Sequence, residues 1–126
     1  MKFLRYTPTI LWLAAILFAS FMPSQHIKTS WLLFPNEDKV IHICMYLGLS
    51  ALFLINSRHF FAITTKKVII TIVAICILSG AIEVLQPILS NRTCDLDDFI
   101  ANSFGAILGG ICGKISNNLF TQKQLT

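Results

Sequence analysis

Three groups of polar residues interrupt otherwise apolar stretches of this chain. Asp38, His42 and Tyr46 recur every four residues. On a helix each such step drifts by only about 40°, so the three form one stripe. Glu83 and Gln86 lie one turn apart in the next apolar stretch. Asp98 and Asn102 are again four apart, and Gly105 and Gly109 continue their stripe. Arg92 and Asp95 stand just before them. His42, Glu83 and Asp98 have the chemistry for proton transfer. The planar fork of Arg92 suits a carboxylate or a phosphate. One imidazole with two carboxylates is also a sparse donor set for a divalent cation. The plainer reading is a hydrogen-bonded lock between helices, with Asp38 as an N-cap. Either way a charge near a bilayer centre costs at least about 2.5–3.5 kcal/mol, so such groups need partners or water.

The elements that carry these residues are membrane segments. The chain has 126 residues, enough for one domain. It is 55% hydrophobic and 13% charged, and its mean hydropathy is +0.71. That composition excludes disorder. The net charge of +4 comes from ten basic residues scattered along an apolar chain, which makes no nucleic-acid-binding patch. Four segments are expected to be helices that cross the bilayer, at about 6–22, 38–57, 67–89 and 97–120. Lys114 interrupts the fourth and can snorkel to the headgroups. The first has basic Lys2 and Arg5 before it, as a signal peptide would. Its apolar stretch runs into Pro23 and Gln25 without a small-x-small site, so a retained helix is expected. Between the first two segments, Trp31-Leu32-Leu33-Phe34 is an amphipathic patch suited to the interface. Cys44, Cys76 and Cys112 sit in apolar runs and read as buried free thiols, with Cys94 in a polar stretch and no CxxC pair.

Charge orients the expected bundle. Lys2, Arg5, Arg58, Lys66, Lys67, Lys114 and Lys123 fall on one side, and Lys28, Lys39 and Arg92 on the other. The positive-inside rule puts both termini in the cytoplasm. All six acids then lie on or near the outer side. Ala101, Gly105, Gly109 and Gly113 form a small-xxx-small ladder for close helix packing. Asp95 or Asp97 can cap the fourth helix, and Arg92 is expected to hold Glu83 or Asp98.

The combined pattern is Asp38-Lys39-x-x-His42-x-x-x-Tyr46, Glu83-x-x-Gln86, then Arg92-x-x-Asp95-x-x-Asp98-x-x-x-Asn102-x-x-Gly105-x-x-x-Gly109. It resembles the VanZ-like family of small bacterial membrane proteins over about residues 36–113. The first helix carries none of the pattern. The resemblance implies an all-α, multi-pass protein of the bacterial inner membrane, and it implies no reaction. The family's name comes from a glycopeptide-resistance protein associated with teicoplanin. That phenotype is not carried over, because no residue here identifies it.

Three functions follow as expectations. In the first, Asp38, His42, Tyr46, Glu83, Gln86, Arg92, Asp95, Asp98 and Asn102 form an extracytoplasmic site for an anionic lipid headgroup or a lipid-linked cell-envelope precursor. In the second, the same residues lock a noncatalytic membrane scaffold or accessory protein. In the third, the chain is a small oligomeric transporter, although no polar stripe continues toward the cytoplasmic half. No nucleophile elbow, P-loop, HExxH or paired-His motif accompanies the cluster, so the sequence assigns no reaction.

Overall fold

The computed structural model describes residues 2–22, 37–90 and 92–125. The expected interfacial patch at Trp31-Leu32-Leu33-Phe34 lies outside the described residues, as do Pro23, Lys28 and Asn91. A short 3-10 turn, Lys2–Tyr6, leads into α1 (Thr7–Phe21), α2 (Glu37–Ser57), α3 (Thr65–Leu89) and α4 (Leu96–Leu125). All four are long and apolar enough to cross a membrane, the first when counted from Leu4 in the 3-10 turn to Phe21. α4 has 30 residues, about 45 Å at 1.5 Å each, and so outruns a hydrocarbon core of about 30 Å.

Local chemistry sets the helix ends. Pro8 sits in the first turn of α1, where its missing amide costs nothing. Glu37 and Asp38 occupy the first turn of α2 and suit its positive dipole end. Asp38 therefore lies inside the helix rather than at the expected N-cap, because Glu37 is already helical. The Thr64 side chain accepts the Lys67 amide at 3.4 Å and caps α3. Pro87, in the last turn of α3, removes the amide that would bond the Glu83 carbonyl four residues back. At α4 the Asp95 carboxylate accepts the Asp97 amide at 2.9 Å, as a cap should.

α2 and α4 run parallel and make the most extensive contact in the bundle. The glycine ladder is the reason. A Cβ on Gly105 would collide with the Ile43 carbonyl oxygen, and one on Gly109 with the Leu47 carbonyl oxygen. One on Gly113 would stand 2.9 Å from the Leu54 Cβ. The two backbones approach as closely as small residues allow. α3 runs antiparallel to α4, with Phe99 over Gly80 and Ile72 against Gly110.

α1 packs antiparallel to α2. The Trp12 indole donates to the Met45 carbonyl at 2.8 Å, and Gly48 leaves the space for its ring. Asn56 donates to Thr9 at 2.8 Å. Ile16 joins Tyr46, Leu49, Ile75 and Ala106 in the main buried cluster. The remaining large apolar side chains, such as Phe18, Ile77, Ile88 and Leu96, cover the outside. A soluble monomer would not expose so much apolar surface, whereas lipid solvates it. Cys44 and Cys112 share that outer face, and Cys94 is exposed as well. The expectation of buried thiols is thus corrected for Cys44 and Cys112, while Cys76 is half-buried. A cysteine in an apolar run need not be interior when lipid is the solvent. All four cysteines are free.

Candidate functional site

One end of the bundle gathers the starts of α2 and α4 and the end of α3. Asn102 is its hub, and it is 1% exposed. The Asn102 amide nitrogen donates to Ser79 Oγ at 2.8 Å and to Glu83 Oε1 at 3.3 Å. Its Oδ1 pairs with His42 Nδ1 at 2.8 Å. Both amide protons are committed to α3, so the oxygen faces α2, and His42 Nδ1 must carry the proton in that bond. The lone-pair side of the imidazole, Nε2, then faces Asp98 Oδ2 at 3.6 Å. A single asparagine thereby ties three helices and sets the tautomer of the histidine.

The cation of this site is Lys39. Its ammonium contacts Asp98 Oδ1, Asp95 Oδ2 at 2.8 Å and Asp38 at 3.4 Å. The Lys39 ammonium holds the Asp95 carboxyl below the usual carboxylate range, with help from the Asp97 amide. Arg92 had been expected in that role. Among the described residues its guanidinium pairs with neither Glu83 nor Asp98. It donates instead to the Ala19 carbonyl at 3.5 Å, which ties the α3–α4 loop to α1. The physical reason is lateral placement: Lys39 starts on the helix that packs directly on α4, whereas Arg92 leaves α3 on the α1 side.

Each expected site residue has a definite place. His42, Glu83, Asp98 and Asn102 come together, and one donor atom each from His42, Glu83 and Asp98 lies within 4.8 Å of the others. Glu83 is 2% exposed, and its Oε2 has no hydrogen-bond partner. Gln86 is also buried and donates to the Ser20 carbonyl at 3.2 Å, with its own Oε1 unpaired. Tyr46 is buried beneath the cluster, its hydroxyl near Ser79 but short of hydrogen-bond geometry. Asp38 stands on the rim with 56% of its side chain exposed. Gly105, Gly109 and Gly113 lie on the packing seam, as the ladder predicts.

Two members were missed, Lys39 and Ser79. Both had a signal. Lys39 precedes His42 by three residues and Ser79 precedes Glu83 by four, so each shares a helix face with a residue already singled out.

A cleft of about 170 Å³ opens beside the cluster between α1 and α2. Ala19, Ile41 and Met45 make its apolar wall, and Asp38, His42 and Arg92 its polar end. His42 therefore looks both ways, with one face toward the buried carboxylates and one toward the cleft.

The fold and the site together define a multi-pass membrane protein with a buried polar cluster at one end of a four-helix bundle. The chain belongs to the VanZ/LLP1 family, whose model matches residues 5–117. The match takes in α1, which the motif pattern alone had left out. Comparison with curated proteins and with solved structures finds no match.

Proposed function

We propose that this protein binds the anionic headgroup of a membrane lipid, or of a lipid-linked envelope precursor, in the cleft between α1 and α2. The observation that carries the reading is the make-up of that cleft. Its wall is apolar, and its end holds the Arg92 guanidinium and the His42 imidazole beside the Asp38 carboxylate on the rim. A phosphate or carboxylate would pair with Arg92 while the acyl or prenyl part lies along Ile41 and Met45. At about 170 Å³ the cleft is smaller than the roughly 300 Å³ at which sites for whole small molecules begin, so it suits a headgroup rather than an entire soluble ligand. His42, oriented by Asn102, borders the cleft and links it to the buried carboxylates. By the positive-inside reading this end faces away from the cytoplasm, across the bacterial inner membrane.

The structural lock has its own support in the His42–Asn102–Ser79 chain of bonds across three helices. Two variants separate the readings. Arg92→Ala leaves that chain intact, so it should fold normally and lose copurified anionic lipid, read by mass spectrometry of protein in nanodiscs. Unchanged lipid content in Arg92→Ala, together with a lowered melting temperature in Asn102→Ala, would leave the lock as the function of the cluster.

A further inference from the structure

Three side chains of the cluster are each held by one polar atom and present a second. His42 spends Nδ1 on Asn102 and leaves Nε2. Glu83 spends Oε1 on Asn102 and leaves Oε2, which is buried without a partner. Asp98 spends Oδ1 on Lys39 and leaves Oδ2, which faces Nε2 at 3.6 Å. The three residues converge, with one donor atom of each within 4.8 Å of the others. From these observations we infer a divalent metal site formed by His42, Glu83 and Asp98.

The three side chains have the orienting hydrogen bonds that metal ligands need. A ligating histidine donates its other ring N–H to a fixed acceptor, and ligating carboxylates are themselves hydrogen-bonded. Asn102 does the first for His42 and bonds Glu83 as well, and Lys39 holds Asp98. His42 Nε2 and Asp98 Oδ2 face each other across 3.6 Å, beyond hydrogen-bond distance, and Glu83 Oε2 is buried without a partner. A cation satisfies both at once. The composition of this end agrees: among the described residues Glu37, Asp38, Glu83, Asp95, Asp97 and Asp98 stand there with Lys39 and Arg92.

The donor set chooses the ion class. One imidazole nitrogen and two carboxylate oxygens suit Mn2+ or Zn2+ better than Mg2+, which keeps to oxygen ligands and several waters. Bonds of about 2.0–2.2 Å need the three donors to draw together around the ion. Three protein ligands leave open positions, and His42 borders the cleft, so a water or a ligand oxygen arriving there would complete the coordination.

The test uses the full chain in detergent, stripped with EDTA and then titrated with manganese or zinc chloride. Metal per chain is read by elemental analysis after desalting. We expect about one equivalent retained, and affinity about 10–100-fold weaker in Asn102→Ala, which keeps all three ligands and loses the bonds that orient His42 and Glu83. Glu83→Gln should lose binding outright, and Asp97→Asn, an exposed acid at the same end, should keep it. Mn2+ on the unaltered chain should show electron-spin-echo modulation from an imidazole nitrogen, lost in His42→Gln, a reading independent of whether Glu83→Gln folds. Arg92→Ala should keep the metal whatever it does to lipid, so failure of the headgroup reading leaves this one standing. An unaltered chain that retains neither ion would overturn the site. So would bound Mn2+ without nitrogen modulation, or retention unchanged in both ligand variants.

Discussion

Lys39 and Asp38 are neighbours in sequence with opposite fates. Lys39 turns inward to Asp95 and Asp98, and Asp38 stays on the rim. The inward direction follows from register, since Lys39, His42 and Tyr46 are three and four residues apart and face α4 together. Removing the Lys39 ammonium strands Asp98, whose side chain is 8% exposed. Lys39→Met should therefore lower stability by about 1.5–3 kcal/mol, the range for hydrogen bonds to charged groups, and Asp38→Asn by much less. Denaturant titration in detergent micelles checks the order; equal effects would refute the inward placement.

His59 is the titratable residue to follow at the opposite end. Its imidazole is pushed below its ordinary value of 6.5, chiefly by desolvation and then by Arg5 and Arg58. The folded chain thus takes up its proton at lower pH than the unfolded chain does. Any contribution to stability is present above pH 6.5 and declines as pH falls below it. Arg5→Gln should raise the His59 pKa toward 6.5, measured by NMR titration of the ring protons. A pKa that stays put would exclude that charge as a cause.

At the scale of elements, the α2–α4 pair decides the site. His42 lies on one helix and Asp98 and Asn102 on the other, and the backbones touch one turn further along at Gly105. Close approach is what lets an imidazole and an amide meet at 2.8 Å without a bridging water. Gly109→Leu should therefore reduce accumulation and melting temperature severely. Gly109→Ala should do the same more weakly, because even one methyl meets the Leu47 carbonyl. Gly80→Ala is the control, since its Cβ would meet only the Phe99 ring edge at 3.4 Å. If Gly109→Ala and Gly80→Ala melt alike, the seam is not where the structure puts it.

At the scale of the molecule, the two ends differ in charge. Arg5, Arg58, Lys66, Lys67 and Lys123 gather at one end and the carboxylates at the other. Both described chain ends lie at the basic end, where Tyr6 meets Ser57 and Arg58 covers the Phe120 ring at 4.1 Å. If the basic end is cytoplasmic, a membrane-impermeant maleimide should label exposed Cys94 in intact cells. Labelling should vanish in Cys94→Ser and should not return with Thr64→Cys in that background. Labelling at position 64 alone would reverse the orientation.

Composition and spacing by themselves determined four spans, the parity that puts both ends on one side, and the glycine ladder. These depend on the apolar length needed to cross a bilayer and on helical periodicity, both of which are local. Spacing also found His42, Glu83, Asp98 and Asn102, because each is a polar residue where lipid penalises one. Only the tertiary structure decided which cation meets the acids. Lys39 and Arg92 were equally near in depth, and the choice turned on which helix packs against α4. It alone paired Asn102 with both His42 and Glu83, and so fixed the free atom on each. It also turned Cys44 and Cys112 outward. Depth in a membrane is written along the chain, whereas the azimuth of each helix is set by its neighbours, and contacts such as these are azimuthal.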